Sequence, residues 1–365
     1  MILNTLITLL VFSLAAPIGA TAIGHSYNLG EGVLAKCSAT GSSAVAVTTV
    51  PRPSKSIADN SVVIQKAIDR AAQSGGAIVQ LPKGKFSLDR PLIVKDNVEL
   101  RGEGAATVLK ASTRFLESRG PYGGHPLITT SGARNVTISR LTADHSGDLW
   151  KANSIDGRLN EYLIDVRHSE NAVVENVITK NPFTYSIAVV GSSRFCVRSS
   201  QTTAATSGRY DQLDGIHVLG SHDGLVAGNY VDQGRGTDGD DGLAAHTMGE
   251  TVHDIEFLNN TVRGGRHGAA MQLALGEKHI YNITVRNNLF WGSPVGVHTG
   301  YYGGDAPICN VVVSGNTFVD IPGPSVDLFG RLSGVSVTGN KRIRSGDTRV
   351  DPGMGNRISG NLHSC

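Results

Sequence analysis

The residues with the clearest chemical potential are acids and a histidine that precede evenly spaced glycines. Asp214, Asp241 and His267 each stand directly before a glycine, and Asp240 lies beside Asp241. The glycines that open successive segments are Gly215, Gly242, Gly268 and Gly296. If each interval is one turn of a repeating structure, these side chains are close neighbours, and at least one of the three carboxyl groups has a raised pKa. A protonated carboxyl group beside an ionised one is the pair that glycoside hydrolysis requires.

Alternation along the segments that follow these glycines sorts their residues into an inner and an outer face. Apolar residues at every second position predict that His217, His246, Gln272 and His298 point outward with the acids. Tyr301 follows closely and is either a platform on which a sugar stacks or a loop cover. The outer face thus combines imidazoles, an amide and a phenol ring next to the carboxylates, and we expect these residues to bind substrate.

The elements that position these residues repeat along the chain. Short β-branched strands are followed at a similar offset by an asparagine: Asn176, Asn229, Asn260, Asn288, Asn316, Asn340 and Asn361. The last intervals are 31, 28, 28, 24 and 21 residues. Repeats of about 20–30 residues with one short strand each are typical of a solenoid. We therefore predict an all-β coil of short parallel strands, with the asparagine side chains stacked in a ladder.

One amphipathic helix is predicted ahead of the strands, over residues 59–74. It is expected to cap the open N-terminal end of the solenoid, where unpaired strand edges invite aggregation. The apolar face is formed by Val62, Val63, Ala67, Ile68 and Ala71. The segment that follows predicts a hairpin-like pair of short strands around residues 82–84.

Composition and charge limit the partners. The 365 residues include 33 Lys and Arg against 31 Asp and Glu, a formal net charge of +2. This near-neutral balance does not indicate electrostatic binding to nucleic acid or to an anionic membrane surface. Four cysteines, without the Cys/His spacing of a zinc site, are compatible with two disulfides in any of three pairings. We expect a monomer without a metal or other cofactor.

The N-terminus resembles a secretory signal peptide. Within residues 1–22 an apolar run is followed by Ala20, Thr21 and Ala22, a small-residue cleavage site, although a membrane anchor is the alternative interpretation. We expect a secreted or periplasmic protein with no membrane span after removal of the signal. Its mature chain would comprise an arm over 23–56 and a solenoid domain over 57–365.

Residues 59–104 resemble the N-terminal part of proteins in the pectate-lyase-like right-handed parallel β-helix superfamily. This resemblance implies a single-stranded right-handed parallel β-helix. The acids resemble glycoside hydrolase family 28, the polygalacturonases: residues 239–241, Gly-Asp-Asp, match one motif fully, and Asp214-Gly215 and His267-Gly268 match two others in part. The resemblance implies that Asp240 is the general acid, that Asp214 and Asp241 hold and activate water, and that His267 supports the acid. Gln212 takes the place of the family's asparagine and is expected to bind substrate.

The chain departs from that family where its Arg and Lys grip a substrate carboxylate. Here His298 and Gly300 take those places, which puts a uronic-acid substrate in doubt. The interpretation is a secreted, inverting polysaccharide hydrolase. Two alternatives stay open: a uronan lyase or mannuronan C5-epimerase, loosely indicated by Tyr210, Asp214 and His217 and able to use Ca²⁺, and a non-catalytic carbohydrate-binding β-helix.

Overall fold

The computed structural model describes residue 37 and residues 46–53, 59–148, 161–204, 212–234 and 239–364. Over this part the chain forms a right-handed parallel β-helix of three parallel sheets, here named A, B and C, around one apolar core. Each coil passes from sheet A to sheet B to sheet C, and its strands pair with the equivalent strands of the next coil. The predicted fold class is confirmed. The predicted signal peptide lies outside the described residues.

The strands follow the same order in each sheet. Among the described residues, sheet A contains Val47–Thr49, Ala77–Gln80, Val98–Arg101, Arg134–Ser139, Glu170–Glu175, Ser193–Arg198, His222–Ala227, Val252–Leu258, Ile280–Arg286, Ile308–Ser314, Leu332–Ser333, Ser336–Thr338 and Arg357–Ser359. Sheet B contains Gly84–Leu88, Thr107–Ala111, Thr142–Asp144, Ile178–Lys180, Gln201–Thr203, Tyr230–Asp232, Thr261–Arg263, Leu289–Trp291, Thr317–Val319, Lys341–Ile343 and Leu362–Ser364. Sheet C contains Leu92–Ile93, Ile128–Thr129, Ile164–Arg167, Ile187–Val190, Ile216–Leu219, Leu243–His246, Ala269–Leu275, Val295–Tyr301, Pro324–Leu328 and Gly346–Val350.

The core is a set of inward columns, because equivalent residues of successive coils pair side by side. In sheet B, Val231, Val262, Phe290 and Phe318 pair in turn and are fully buried. The rings of Phe290 and Phe318 stack with centroids 5.3 Å apart. Burying each such side chain contributes about 1.5–3 kcal/mol, so the coils are held together by like residues at like positions.

The predicted asparagine ladder runs along the turn between sheets A and B. From Asn229 to Asn340, each side-chain amide donates to the Oδ1 of the next asparagine at 3.0 Å and to a backbone carbonyl. Asn361 accepts at the last step. Asn176 is not part of it: the residue has a φ of +53°, and Ser200 donates its backbone N–H to Asn229 instead. The ladder satisfies buried polar groups at the corner between sheets A and B from Asn229 onward.

The helix, α1, spans Ser61–Gln73 and covers the N-terminal end of the solenoid, as predicted. It packs on Ala77–Gln80 and Val98–Arg101 of sheet A and on the first strands of sheets B and C. Its buried apolar face differs in part from the predicted one, because Ile64 is fully buried whereas Val62 is 38% exposed. No helix in the described part of the chain is long and apolar enough to cross a membrane.

The predicted hairpin around residues 82–84 is wrong. The strand before this turn lies in sheet A and pairs with Val98–Arg101, whereas the strand after it lies in sheet B and pairs with Thr107–Ala111. The turn is therefore a corner of the first coil, which a solenoid requires and a hairpin would prevent.

The predicted N-terminal arm contributes to the fold at two points. Val47–Thr49 pairs with Ala77–Gln80 at the edge of sheet A, so the solenoid begins before residue 57. Cys37 forms a disulfide with Cys196, with the two Cα atoms 5.7 Å apart, and packs with Leu225 on the outer side of sheet A. Cys309 is a free thiol, so a second disulfide is not formed among the described cysteines; Cys365 lies outside the described residues.

Candidate active site

Three carboxylates meet where the chain passes from sheet B into sheet C. Asp214 precedes the strand Ile216–Leu219, and Asp240 and Asp241 precede the strand Leu243–His246 on the next coil. One oxygen of each lies within 4.8 Å of an oxygen of the other two. The structure thus brings together the three acids that the glycine spacing singles out.

The acids are stacked in a different register from the predicted one. Leu213 bridges to Gly239, so Asp214 and Asp240, the next residues, lie level with each other on neighbouring coils. The strands that follow pair one residue out of step with this bridge, because the second coil carries an extra residue, Asp241. Asp214 therefore has two neighbours on the next coil. Asp240 is level with it, and the expected neighbour Asp241 donates its backbone N–H to the Asp214 carboxylate, while its carbonyl accepts from Gly215 N at 3.0 Å.

His267 continues the column that begins with the acids. Its backbone N–H donates to Gly239 O at 3.1 Å, the same relation that Asp240 N has to Leu213 O. His267 is therefore level with Asp240, one coil further, and is half-buried. The next residue, Gly268, has a φ of +66°, and a Cβ built on it would lie 2.2 Å from Asp240 Oδ1. Only glycine lets the chain pass so close to this carboxylate.

The expected side-by-side alignment of the four evenly spaced glycines holds for Gly215 and Gly242 and fails for Gly268. Gly215 and Gly242 are neighbours, since a Cβ on the first would lie 2.4 Å from the carbonyl oxygen of the second. The strand pairing then places Ala270, not Gly268, beside Gly242 and beside Gly296. The shift is two residues, which keeps the predicted inward and outward faces unchanged.

Burial controls the charge of the cluster. Asp214 and Asp241 are each 3% exposed, and burial raises the pKa of both well above the usual range. The adjacent carboxylates raise the pKa of Asp241 further, whereas the N–H of Ala269, which donates to Asp241 Oδ1 at 2.5 Å, opposes the rise. Asp240 is half-buried. Three negative charges so close are strongly disfavoured, so the cluster retains a proton that can be transferred.

The short distances within the cluster also suit one water molecule. Two oxygens 4.8 Å apart can both accept from a water placed about 2.7–2.8 Å from each. The separation of the closest oxygens is shorter than the roughly 6.5–9.5 Å typical of carboxyl groups in inverting enzymes, so the expectation of that spacing is not met by these atoms. Three carboxylate oxygens are also a donor set for a Ca²⁺ ion, but Asp214 already accepts from the backbone N–H of Asp241, and Asp241 accepts from the backbone N–H of Ala269.

A pair of imidazoles extends from Asp214 across the outer face of sheet C. His217 Nδ1 hydrogen-bonds with Asp214 Oδ2, and His217 Nε2 lies 3.2 Å from His246 Nδ1. Tyr185 stacks on His217 with centroids 4.4 Å apart, and Tyr302 lies over His246 at 5.0 Å. Burial lowers the pKa of both imidazoles to about 3. His217, predicted to bind substrate, is 3% exposed and contacts protein groups instead, whereas His246 is half-buried.

The next coils carry the other predicted binding residues. Gln272 is 7% exposed and hydrogen-bonds with Tyr302, whose pKa is raised by burial. His298 pairs with Gln272 on the following strand and is half-buried, with a pKa lowered by burial. At Gly300, a Cβ would lie 2.9 Å from Gln272 Nε2 and 3.0 Å from the Tyr302 ring. A longer side chain at the position where the resemblance expects a lysine would have to displace Gln272 and Tyr302.

Tyr301 and Gln212 lie at the margins of this face. Tyr301 packs edge-on against Phe329, whose ring also contacts His298. Gln212 is half-buried and directly precedes the bridge to the next coil. Their predicted substrate contacts stay predictions, whereas the neighbouring Tyr302 reaches the centre of the site. Tyr210, on which the epimerase interpretation drew, lies outside the described residues.

Sequence reasoning missed the aromatic side of the site. Because Ile187 pairs with Ile216, Tyr185 is level with Asp214 on the preceding coil. Tyr162 stacks on Tyr185 with centroids 4.8 Å apart. The signal was present, since both tyrosines stand two residues before a sheet C strand, as Asp214 does, but their coils lack the glycine that marks the acids.

Comparison with known proteins identifies the family. Residues 54–317 match the family model described as rhamnogalacturonase A/epimerase, pectate lyase-like. No curated protein matches by sequence. The matched range contains all the residues of the carboxylate cluster and of the imidazole pair.

Several solved structures share the fold. A hyperthermoactive exopolygalacturonase from Thermotoga maritima has a TM-score of 0.61 at 14% identity, over 87% of this chain and 90% of that one. A polygalacturonase from Erwinia carotovora ssp. carotovora has 0.57 at 17% identity, over 88% and 95%. PfbA, a surface adhesin of Streptococcus pneumoniae, has 0.57 at 14% identity, over 81% and 85%. At such identities the likeness concerns the fold alone.

Proposed function

Because the chain belongs to the rhamnogalacturonase A/epimerase family of pectate-lyase-like proteins, we propose that it is a glycoside hydrolase that cleaves a polysaccharide outside the cell. The observation that carries the proposal is the cluster of one half-buried and two buried carboxylates within 4.8 Å. Export is supported by the Cys37–Cys196 disulfide, since such bonds persist in oxidising compartments.

The three acids have different roles in the proposed reaction, according to how exposed each side chain is. Asp240 is the most accessible and, in its protonated form, transfers a proton to the glycosidic oxygen as the bond to the anomeric carbon breaks. Asp214 and Asp241 hold a water molecule between them, which attacks that carbon while one of the two carboxylates takes its proton. His267, level with Asp240, supports the acid. Attack by water without a covalent intermediate gives a product of inverted configuration.

The outer face of sheet C favours a sugar that needs no strong cation. Burial lowers the pKa of His298 and so favours its neutral form, and residue 300 is a glycine packed against Gln272 and Tyr302 rather than a cationic side chain. A uronate carboxylate would therefore lack a charged partner at these two positions, whereas the imidazoles, the amide and Tyr302 can hydrogen-bond hydroxyl groups. We propose a neutral sugar at the subsite they form.

A second candidate is a lyase or C5-epimerase acting on a uronan, because the description of the family names an epimerase. Such an enzyme removes the C5 proton and neutralises the adjacent carboxylate, for which the acid cluster would need a cation such as Ca²⁺. The two candidates differ in their products, so they can be separated directly.

The test is a screen of plant and microbial polysaccharides with two readouts on each sample. A hydrolase releases reducing ends without ultraviolet absorbance from an unsaturated uronate, which is the expected result. Absorbance would assign a lyase, and a changed C5 configuration without cleavage would assign an epimerase. For the positive substrate, ¹H NMR of the first product formed should show the inverted anomer. A retained anomer would make one of the buried carboxylates a nucleophile.

A further inference from the structure

We propose that His246 is a positioning residue that acts through His217: its Nδ1–H fixes the tautomer in which His217 donates to Asp214 and so keeps Asp214 ionised. The inference rests on the proposed hydrolase function, in which Asp214 holds the attacking water. It assigns to His246 a role other than the substrate contact predicted from its outward position.

The imidazole chain has two self-consistent arrangements of protons. In the first, His246 Nδ1–H donates to His217 Nε2, His217 Nδ1–H donates to an ionised Asp214, and His246 Nε2 carries a lone pair. In the second, a protonated Asp214 donates to His217 Nδ1, and His217 Nε2–H donates to His246 Nδ1. The two differ by one proton, so the tautomer of His217 and the charge of Asp214 change together.

The surroundings give His217 this control over Asp214. Burial alone would favour the neutral carboxyl group, and the backbone N–H of Asp241 opposes this. His217 Nδ1 also opposes it, but only in the tautomer that carries a proton on Nδ1. A neutral imidazole that is protonated at Nδ1 carries a lone pair at Nε2, and a donor facing Nε2 favours this tautomer; the group at Nε2 is His246. The first arrangement is therefore the one that yields a base able to activate water.

Other titratable groups on the neighbouring coils face the His217–His246 pair. Tyr185 covers one face of His217, and Tyr302 covers His246. Asp240 and Asp241 lie on the same side as Asp214. Tyr162 stacks behind Tyr185, with Arg167 over its outer face. Both covering tyrosines have pKa values raised by burial and by these carboxylates, so they stay neutral and do not compete as charged groups.

The first experiment reads the tautomer without requiring activity. ¹⁵N–¹H correlation spectra of ¹⁵N-histidine protein at neutral pH should show His217 and His246 both protonated at Nδ1. A His217 resonance protonated at Nε2 would overturn the proposal whatever the protein hydrolyses. In His246→Leu, the Nε2 partner is lost, and we expect His217 to become a mixture of tautomers.

The second experiment reads the base through the pH dependence of kcat/KM. Loss of the fixed donor raises the pKa of Asp214, so the acid limb of the profile should move upward by about one pH unit in His246→Leu. His246→Asn, whose amide nitrogen is bonded to Cγ as Nδ1 is, should restore the limb to within a few tenths of a unit. His222→Leu makes the same change on the outer face of sheet A, away from the site, and should leave the limb in place.

The outcomes separate this proposal from the proposed function. An acid limb that stays in place in His246→Leu, in an enzyme that Asp240→Asn inactivates, overturns the positioning role and leaves the hydrolase standing. A change confined to KM makes His246 a substrate contact instead. If the wild-type protein hydrolyses no polysaccharide, the proposed function fails, and the spectra still decide the tautomer.

Discussion

Replacing Gly268 by alanine should disable the site while leaving the fold in place. The added Cβ would lie 2.2 Å from Asp240 Oδ1 and 2.7 Å from both Asp240 C and Asp241 N. The last two atoms are backbone, so rotation of the Asp240 side chain cannot relieve the contact. Ordinary contacts begin near 3.4 Å, so the acid must move by roughly 1 Å. A misplacement of about 1 Å can lower a rate by a factor of about 100, which corresponds to about 2.7 kcal/mol in the barrier.

Gly292→Ala is the matched control. Gly292 has a φ of +75°, close to the +66° of Gly268, but a Cβ added to it would have nothing within 4 Å. Both variants therefore carry the strain of a left-handed alanine, about 1–2 kcal/mol of unfolding free energy, and only Gly268→Ala displaces Asp240. Initial rates of reducing-end release and urea unfolding should be measured for both. Equal activity in the two variants would refute the placement of Asp240 as the acid.

Three further predictions concern the scaffold and the cluster. Asn288→Ala should lower the free energy of unfolding by about 2–3 kcal/mol, because it leaves buried partners unpaired. The exposed Asn310 has a φ of +53°, which glycine adopts without strain, and its amide donates to Asn282. Asn310→Gly should therefore lower the free energy of unfolding by only about 1 kcal/mol, and equal losses in urea unfolding would contradict the role of burial. Cys37→Ser should lower the free energy of unfolding by about 2–5 kcal/mol, as should reduction of the wild-type protein. An unchanged unfolding midpoint would contradict a stabilising disulfide between cysteines 159 residues apart in the sequence. Activity should persist in EDTA, and its loss, restored by Ca²⁺, would assign the cluster to a cation.

The fold was predictable because the solenoid repeats one set of local choices. From Asn229 to Asn361, an asparagine recurs at the corner between sheets A and B of successive coils, together with an apolar alternation in the strands, so the ladder could be anticipated. The helix was predictable because its apolar residues recur at helical spacing. Its buried face was partly misjudged, because the helix packs on strands of three sheets, and this packing buries Ile64 and leaves Val62 38% exposed.

The composition of the site was predictable, but its register was not. Spacing alone cannot show that Asp241 and Gly268 are extra residues on their coils, since each lies in a turn whose length varies from coil to coil. Strand alternation placed His217 on the outer face correctly. It could not show that Tyr185 buries this ring, because that contact joins two coils through side chains alone.

The assignment of Asp240 as general acid is tested most directly by the leaving group. An aryl glycoside with a dinitrophenolate leaving group departs without protonation, so a variant that lacks only the acid should still cleave it. We predict that Asp240→Asn loses hydrolysis of the polysaccharide identified by the screen but retains cleavage of the corresponding aryl glycoside, whereas Asp214→Asn loses both. Equal loss on both substrates in Asp240→Asn, or undiminished cleavage of the polysaccharide, would contradict the account.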